Sequence, residues 1–282
     1  MTLRVSLLLQ TTPGCRRGQG YRHGGPVLRP QPRLGELDEP NTIRVRQTLA
    51  LLPAGVTTVL DVGCGDGAVT NPLVDNGVEV TGIDASEVAL AHFRGRQVAG
   101  DIEKLPFEDN SFEVIICAEV LEHLPGRVYA SVLPELERVA SKAIIVTTPY
   151  QEYLPHSFVK CSDCATLYHS SHHVRTYSRK DYEQLFSGFE LEQSLGICEW
   201  RQNPLNVALK HFLGVHIWRD NLVCPVCDYD RGEPEPSWIQ HPVGAETLKR
   251  GLLGLQTVFE RCFPGRTKNR WIAGLFLPRK RT

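Results

Sequence analysis

Short apolar runs alternate with amphipathic stretches over much of the chain, and this alternation sets the first expectation about the fold. Val59 to Val62 is a brief, mostly apolar run stopped by Gly63 and Gly65, as a strand buried on both faces would be. Val78, Val80 and Ile83 mark a second strand, Phe112 to Cys117 a third, and Ala143 to Thr147 another. Between the last two, Val128, Val132, Leu136 and Val139 recur at helical spacing along one face. Ser178 and Asp181 make a capping box for a helix through Leu185; Gly188 ends it, and Phe189 to Ile197 reads as a strand. Trp271 to Leu277 has the pattern of a closing strand. Upstream, Asn41 is placed to cap a short helix with Val45, Leu49 and Leu52 on its apolar side, ended by Pro53, Ala54 and Gly55. Strand and helix in alternation predict an α/β fold, a parallel sheet with helices on both faces.

The same pattern divides the chain. Residues 1–40 are rich in Gly, Pro and Arg without periodicity and read as a leader. Residues 41–200 carry the core, 201–269 interrupt the alternation as an insertion or lid, and 270–282 hold the closing strand and a basic tail. Within the insertion, Leu248, Leu252, Leu255, Phe259 and Cys262 follow helical spacing; core packing is the default reading, and a lid over an apolar substrate or a membrane-surface face the minority one.

Composition narrows the class. A chain of 282 residues with 41% hydrophobic content can bury one large core, and a net charge of −1 argues against a nucleic-acid surface. Six arginines and no acid precede Leu34, and the end from Arg266 is also basic; solvated termini, a transit peptide and phosphate or membrane contact all fit. No segment approaches the ~18 apolar residues of a membrane span. Nine cysteines, an odd number, argue against a disulfide framework and for a reducing cytoplasm.

Candidate chemistry begins with Asp61-Val62-Gly63-Cys64-Gly65-Asp66-Gly67. Glycines let backbone approach a ligand at a tight turn, whereas the leading carboxylate would repel a pyrophosphate and suits a zwitterion beside a sulfonium. Asp84, in Gly82-Ile83-Asp84-Ala85-Ser86, is spaced to accept from ribose hydroxyls. Asp101, followed by Ile102, is placed to accept from an adenine amino group.

The stretch VLDVGCGDG, then VTGIDAS, then GDIEKLPFEDNSFEVIICAEVLEHL resembles the class I S-adenosylmethionine-dependent methyltransferase superfamily, in the branch with the ubiquinone/menaquinone biosynthesis enzymes. The resemblance implies a Rossmann-like seven-stranded sheet. It also implies S-adenosylmethionine as cofactor, its methionine end held by Asp61, Gly63, Cys64 and Gly65, its ribose by Asp84 and Ala85, and its adenine by Asp101 and Ile102. Ala118 and Glu119 would close over the methionyl part. The stretch His172-His173-Val174-Arg175-Thr176-Tyr177 is similar to a G-H-x-R-x-Y segment of the family, with His172 in place of glycine. His123 and His173 are candidate general bases, each with a capping or packing role as the alternative.

Cys161 with Cys164, and Cys224 with Cys227, have the two-residue spacing of zinc knuckles, and together they predict one structural zinc. His169, His172 and His173 are alternative ligands, and redox pairs or plain thiols are the alternative roles. The first functional expectation is methyl transfer to a small-molecule acceptor such as a metabolite, sugar or natural product. The others are an RNA or protein methyltransferase whose knuckles hold the macromolecule, and a non-catalytic zinc-dependent binding module.

Overall fold

The computed structural model describes residues 38–161, 163–203, 224–227 and 265–280. Most of the expected leader and insertion, including the stretch around Leu252 and Phe259, lies outside the described residues. No helix among the described residues is long and apolar enough to cross a membrane.

Strands β1 (Thr58–Val62), β2 (Glu79–Asp84), β3 (Arg96–Ala99), β4 (Phe112–Ala118) and β5 (Ala140–Pro149) pair in parallel. A hairpin of β6 (Phe158–Lys160) and β7 (Leu167–His169) follows, then β8 (Phe189–Gln202) and β9 (Arg266–Pro278). The main sheet has seven strands in the order β3-β2-β1-β4-β5-β9-β8, with β9 antiparallel to β5. Right-handed crossovers cover both faces of such a sheet, so its central strands read as continuous apolar runs. Along β4 the pleat sends Ile115 and Cys117 into one core cluster and Val114 and Ile116 into the other.

Helices α1 (Glu39–Leu49), α2 (Asn71–Asp75), α3 (Glu87–Leu90), α4 (Gly126–Val139) and α5 (Arg179–Glu183) complete the described elements. Helix α4 buries Val132, Leu136 and Val139, the expected face; each such side chain stabilises by roughly 1.5–3 kcal/mol. Its last turn also anchors the loop after β3. Arg138 donates to the carbonyls of Phe107 and Leu105 at 2.7 and 3.0 Å, while Glu135 accepts from the Leu105 N–H at 2.8 Å. Ser178 and Asp181 form the capping box of α5.

One expectation is corrected. Helix α1 is capped by Asp38, not Asn41: Pro40 in the first turn starts the helix earlier, and Asp38 Oδ1 accepts from the Asn41 N–H at 3.0 Å. Its buried face is also more polar than read, holding Asn41, Arg44 and Thr48 beside Val45. Leu121–His123 is a separate 3-10 turn, and α4 begins only after Pro125.

The chain divides into two compact units. The first runs to Gln151 and adds Tyr177–Glu199 and the chain from Asn269; the second comprises Glu152–Thr176 and Trp200–Lys268.

Candidate functional site

In the first unit the turn after β1 is held by two N–H groups, of Gly63 and Cys64, that donate to Ile83 O at 2.8 and 3.2 Å. Gly63 has φ +71°, and a Cβ there would lie 2.5 Å from Val120 Cγ2, so the residue is demanded by packing. Gly65 differs. Its φ is +53° and a Cβ would meet nothing within 4 Å, so the turn presents open room at this point.

Carboxylates surround that opening. Asp61 is 2% exposed and accepts from Thr70 Oγ1 at 2.6 Å. Burial pushes its carboxyl up to about 7; the Thr70 hydrogen bond opposes this, and the neighbouring Asp84 and Asp66 add to it. Asp84 ends β2 and is oriented by two backbone donors, Gly65 N–H to Oδ2 and Ser86 N–H to Oδ1, each at 2.8 Å. Ala85 beside it is exposed, while burial drives the thiol of Cys64 far above its ordinary value. Asp101 is exposed and accepts from Glu103 N–H at 2.8 Å; Ile102 packs against the first core cluster.

Past β4 the chain makes a constrained turn. Glu119, just after Ala118, has φ +59°, unusual for a residue with a side chain, and its N–H donates to Thr147 O at 2.8 Å. Its Oε2 accepts from Trp271 Nε1 at 2.7 Å. The Trp271 ring also meets two guanidinium groups, Arg270 at 4.2 Å and Arg44 at 5.5 Å from its centroid. Arg44 is 6% exposed; its Nε donates to Asn41 Oδ1 at 3.3 Å, and its Nη1 is buried without a partner among the described residues. Thr48 Oγ1 spends its one proton on Arg44 O at 2.9 Å, so Thr147 is the donor in their 3.1 Å contact. Arg44 and Trp271 were not singled out from sequence. The available signal was a polar stripe, Asn41-Arg44-Thr48, at helical spacing.

His123 lies in the 3-10 turn, its Nε2 3.9 Å from Oε1 of the fully buried Glu122. His173 belongs to the second unit. There Glu152 bridges two imidazoles, with Oε2 2.5 Å from His173 Nδ1 and Oε1 3.3 Å from His169 Nε2, and the rings stack at 4.5 Å. His169 Nδ1 accepts from the N–H groups of Ser171 and His173, which places its proton on Nε2, facing Glu152. That tautomer gives His169 no lone pair to offer a metal at Nε2, so the trio is a hydrogen-bonded clamp. Burial works against ionisation of Glu152, but the hydrogen bonds from His169 and His173 outweigh it and hold the carboxyl below its usual range. His172 has φ +55°. The position where the similar segment carries glycine thus keeps a left-handed backbone here.

The second unit also brings the four cysteines together. Cys161 Sγ is 3.6 Å from Cys227 Sγ, Cys164 Sγ is 3.6 Å from Cys224 Sγ, and all four sulfurs lie within 4.8 Å of one another. Cys161 and Cys224 are buried, Cys227 is half-buried and Cys164 exposed. Hydrogen bonding with Thr166, whose Oγ1 is 3.1 Å away, leads the causes that lower the Cys164 thiol to about 6.

Glycine turn, flanking carboxylates and strand order together resemble those of the class I S-adenosylmethionine-dependent methyltransferases. Residues 60–145, under a third of the chain, match the family described as methyltransferase domain. Among curated proteins it is similar to the ubiquinone biosynthesis O-methyltransferase of Pseudomonas paraeruginosa, at 41% identity over 78 residues, 24% of this chain and 34% of that protein. The protein of the same name from Thiobacillus denitrificans is 38% identical over 101 residues, 32% of this chain and 43% of the relative. The chain therefore spans less than half the length of these relatives. Among solved structures, it resembles a chain from the complex between the Haloferax volcanii Trm112 methyltransferase activator and a methyltransferase. That likeness has a TM-score of 0.50 and 16% identity, covers 88% of this chain and 94% of the other, and speaks to the fold alone.

Proposed function

We propose that this protein transfers a methyl group from S-adenosylmethionine to a small-molecule acceptor, with an oxygen as the receiving atom. The supporting observation is the open turn at Gly65, bordered by the buried Asp61 and by an Asp84 already aimed by two backbone donors. Bound there, the cofactor supplies a methyl group on a positively charged sulfonium. Asp61, Gly63, Cys64 and Gly65 are assigned to its methionine end, Asp84 and Ala85 to the ribose, Asp101 and Ile102 to the adenine, and Ala118 and Glu119 to the methionyl part. The unpartnered, buried Nη1 of Arg44 suits the amino-acid carboxylate. Preference for an oxygen acceptor rests on the printed names of the curated relatives. A hydroxyl, unlike a neutral amine, benefits from a base, and His123 and His173 are the candidates.

One zinc held by Cys161, Cys164, Cys224 and Cys227 is the second part of the proposal. A tetrahedron with ~2.3 Å zinc–sulfur bonds has edges of about 3.8 Å, close to the 3.6 Å cross-pair contacts. Four thiolates leave no open position, so the zinc is structural. The free state of all seven described cysteines fits a reducing compartment such as the cytoplasm.

The test is calorimetry with S-adenosylmethionine and its demethylated product on wild type and Asp84→Ala, followed by transfer of labelled methyl to a panel of phenols, sugars and amines. Micromolar binding weakened in a folded mutant, and label on a hydroxyl, are expected. No binding by wild type refutes the cofactor assignment, and label only on amines refutes the oxygen acceptor.

A further inference from the structure

The closest sulfur contacts of the cluster run between the two knuckles. Each close contact joins one knuckle to the other, Cys161 to Cys227 and Cys164 to Cys224, both at 3.6 Å. Their access to solvent is unequal: Cys164 is exposed, Cys227 half-buried, and Cys161 and Cys224 buried. A small oxidant arriving from solvent therefore reaches Cys164 first. The sulfur standing against Cys164 is Cys224, across the cluster, and it is itself shielded from direct attack.

We propose that the cysteine cluster is a peroxide-sensitive clasp: Cys164 is oxidised first, Cys224 resolves it, and the ends joined by zinc become joined by cross-knuckle disulfides. This rests on the reading of the cluster as a zinc site. The Cys164 thiolate attacks hydrogen peroxide; the O–O bond breaks, an S–O bond forms, and one oxygen leaves as hydroxide, which takes a proton and becomes water. The Cys224 thiolate then attacks the sulfenic sulfur, forming the disulfide and releasing a second hydroxide, again protonated to water. The pair of sulfurs gives up two electrons and peroxide takes both. With two of four ligands gone, zinc is released. Cys161 and Cys227 then stand as a second dithiol for a second peroxide.

Every cut between the knuckles is bridged by the products as it was by the metal. The segments around Cys161 and Cys224 stay tethered, and what changes is the loss of zinc and of the cluster's negative charge.

Full-length, zinc-loaded protein treated with stoichiometric hydrogen peroxide provides the test. Zinc release is followed with a chromogenic chelator, and remaining thiols are alkylated for disulfide mapping by mass spectrometry. Release of one zinc per chain with Cys164–Cys224 as the first disulfide is expected, and Cys161–Cys227 as the second. A first disulfide within either C-x-x-C pair, one involving Cys64 or Cys198, or sulfinic acid at Cys164 without a disulfide overturns the proposal. Thr166→Val keeps all four sulfurs but removes the hydroxyl 3.1 Å from Cys164; it should keep the pairing and release zinc several-fold faster, and an unchanged rate overturns Cys164 as the point of entry. The two readings fail separately. Purified protein without metal refutes the zinc site, whereas zinc that survives excess peroxide refutes only the clasp.

Discussion

Asp61→Asn isolates the electrostatic cost built into the turn after β1. Burial in the fold pushes the Asp61 carboxyl from an ordinary 3.8 up to about 7, a difference worth about 4 kcal/mol at 1.36 kcal/mol per unit. The sign follows from proton binding. Between these two values the unfolded chain has already released the Asp61 proton while the fold retains it, so rising pH favours unfolding. The stabilising contribution of the protonated group is full below pH 4 and is lost as pH rises through about 7. Asparagine keeps an acceptor for Thr70 but has no charge to bury. The variant without cofactor should therefore be more stable than wild type by about 2–4 kcal/mol at pH 8, and by less than about 0.5 kcal/mol near pH 4. Denaturant melts at both pH values measure this. The same substitution should weaken binding of the cationic cofactor at least about tenfold. In wild type, affinity should rise with pH through 7 and then level off, with proton release seen as a buffer-dependent enthalpy. Equal stabilities at pH 8, or an asparagine variant that binds as tightly as wild type, would refute the reasoning.

Three further outcomes are expected. Gly63→Ala meets Val120 and should destabilise by about 1–3 kcal/mol, whereas Gly65→Ala should cost the fold only about 1–2 kcal/mol of left-handed strain yet abolish cofactor binding; thermal melts with calorimetry separate the two. Trp271→Phe removes the 2.7 Å bond to Glu119 and should cost about 1 kcal/mol, with weaker cofactor binding as the functional readout. Metal analysis should find one zinc per chain, lost when Cys224 and Cys227 are both replaced by serine; full zinc in that double variant would assign the ligands elsewhere.

Legibility in the sequence followed how local each constraint is. The glycine turn, Asp84 and Asp101 were readable because spacing along the chain alone puts them at strand ends. The parallel strands were readable because burial on both faces makes their runs continuous. Helix α1 was misread: Arg44 and Thr48 look like a solvated stripe until β9 supplies Trp271 and β5 supplies Thr147 as partners. The β6–β7 hairpin escaped because three-residue strands are too short for periodicity to register. Glu152 carried no signal either, since its partners His169 and His173 sit 17 and 21 positions away. The cysteine spacing named the four candidate zinc ligands, but only the fold brings the two pairs within reach.

The proposed clasp also bears on how the chain between its ends can vary in length. It pins Cys164 to Cys224, 60 positions apart, and so fixes both ends of the chain between them. Doubling the length of such a loop costs only about 0.6 kcal/mol of closure entropy. That chain carries β7, the stacked His169 and His173, α5 and β8, so only the connections between these packed elements can lengthen at so small a cost.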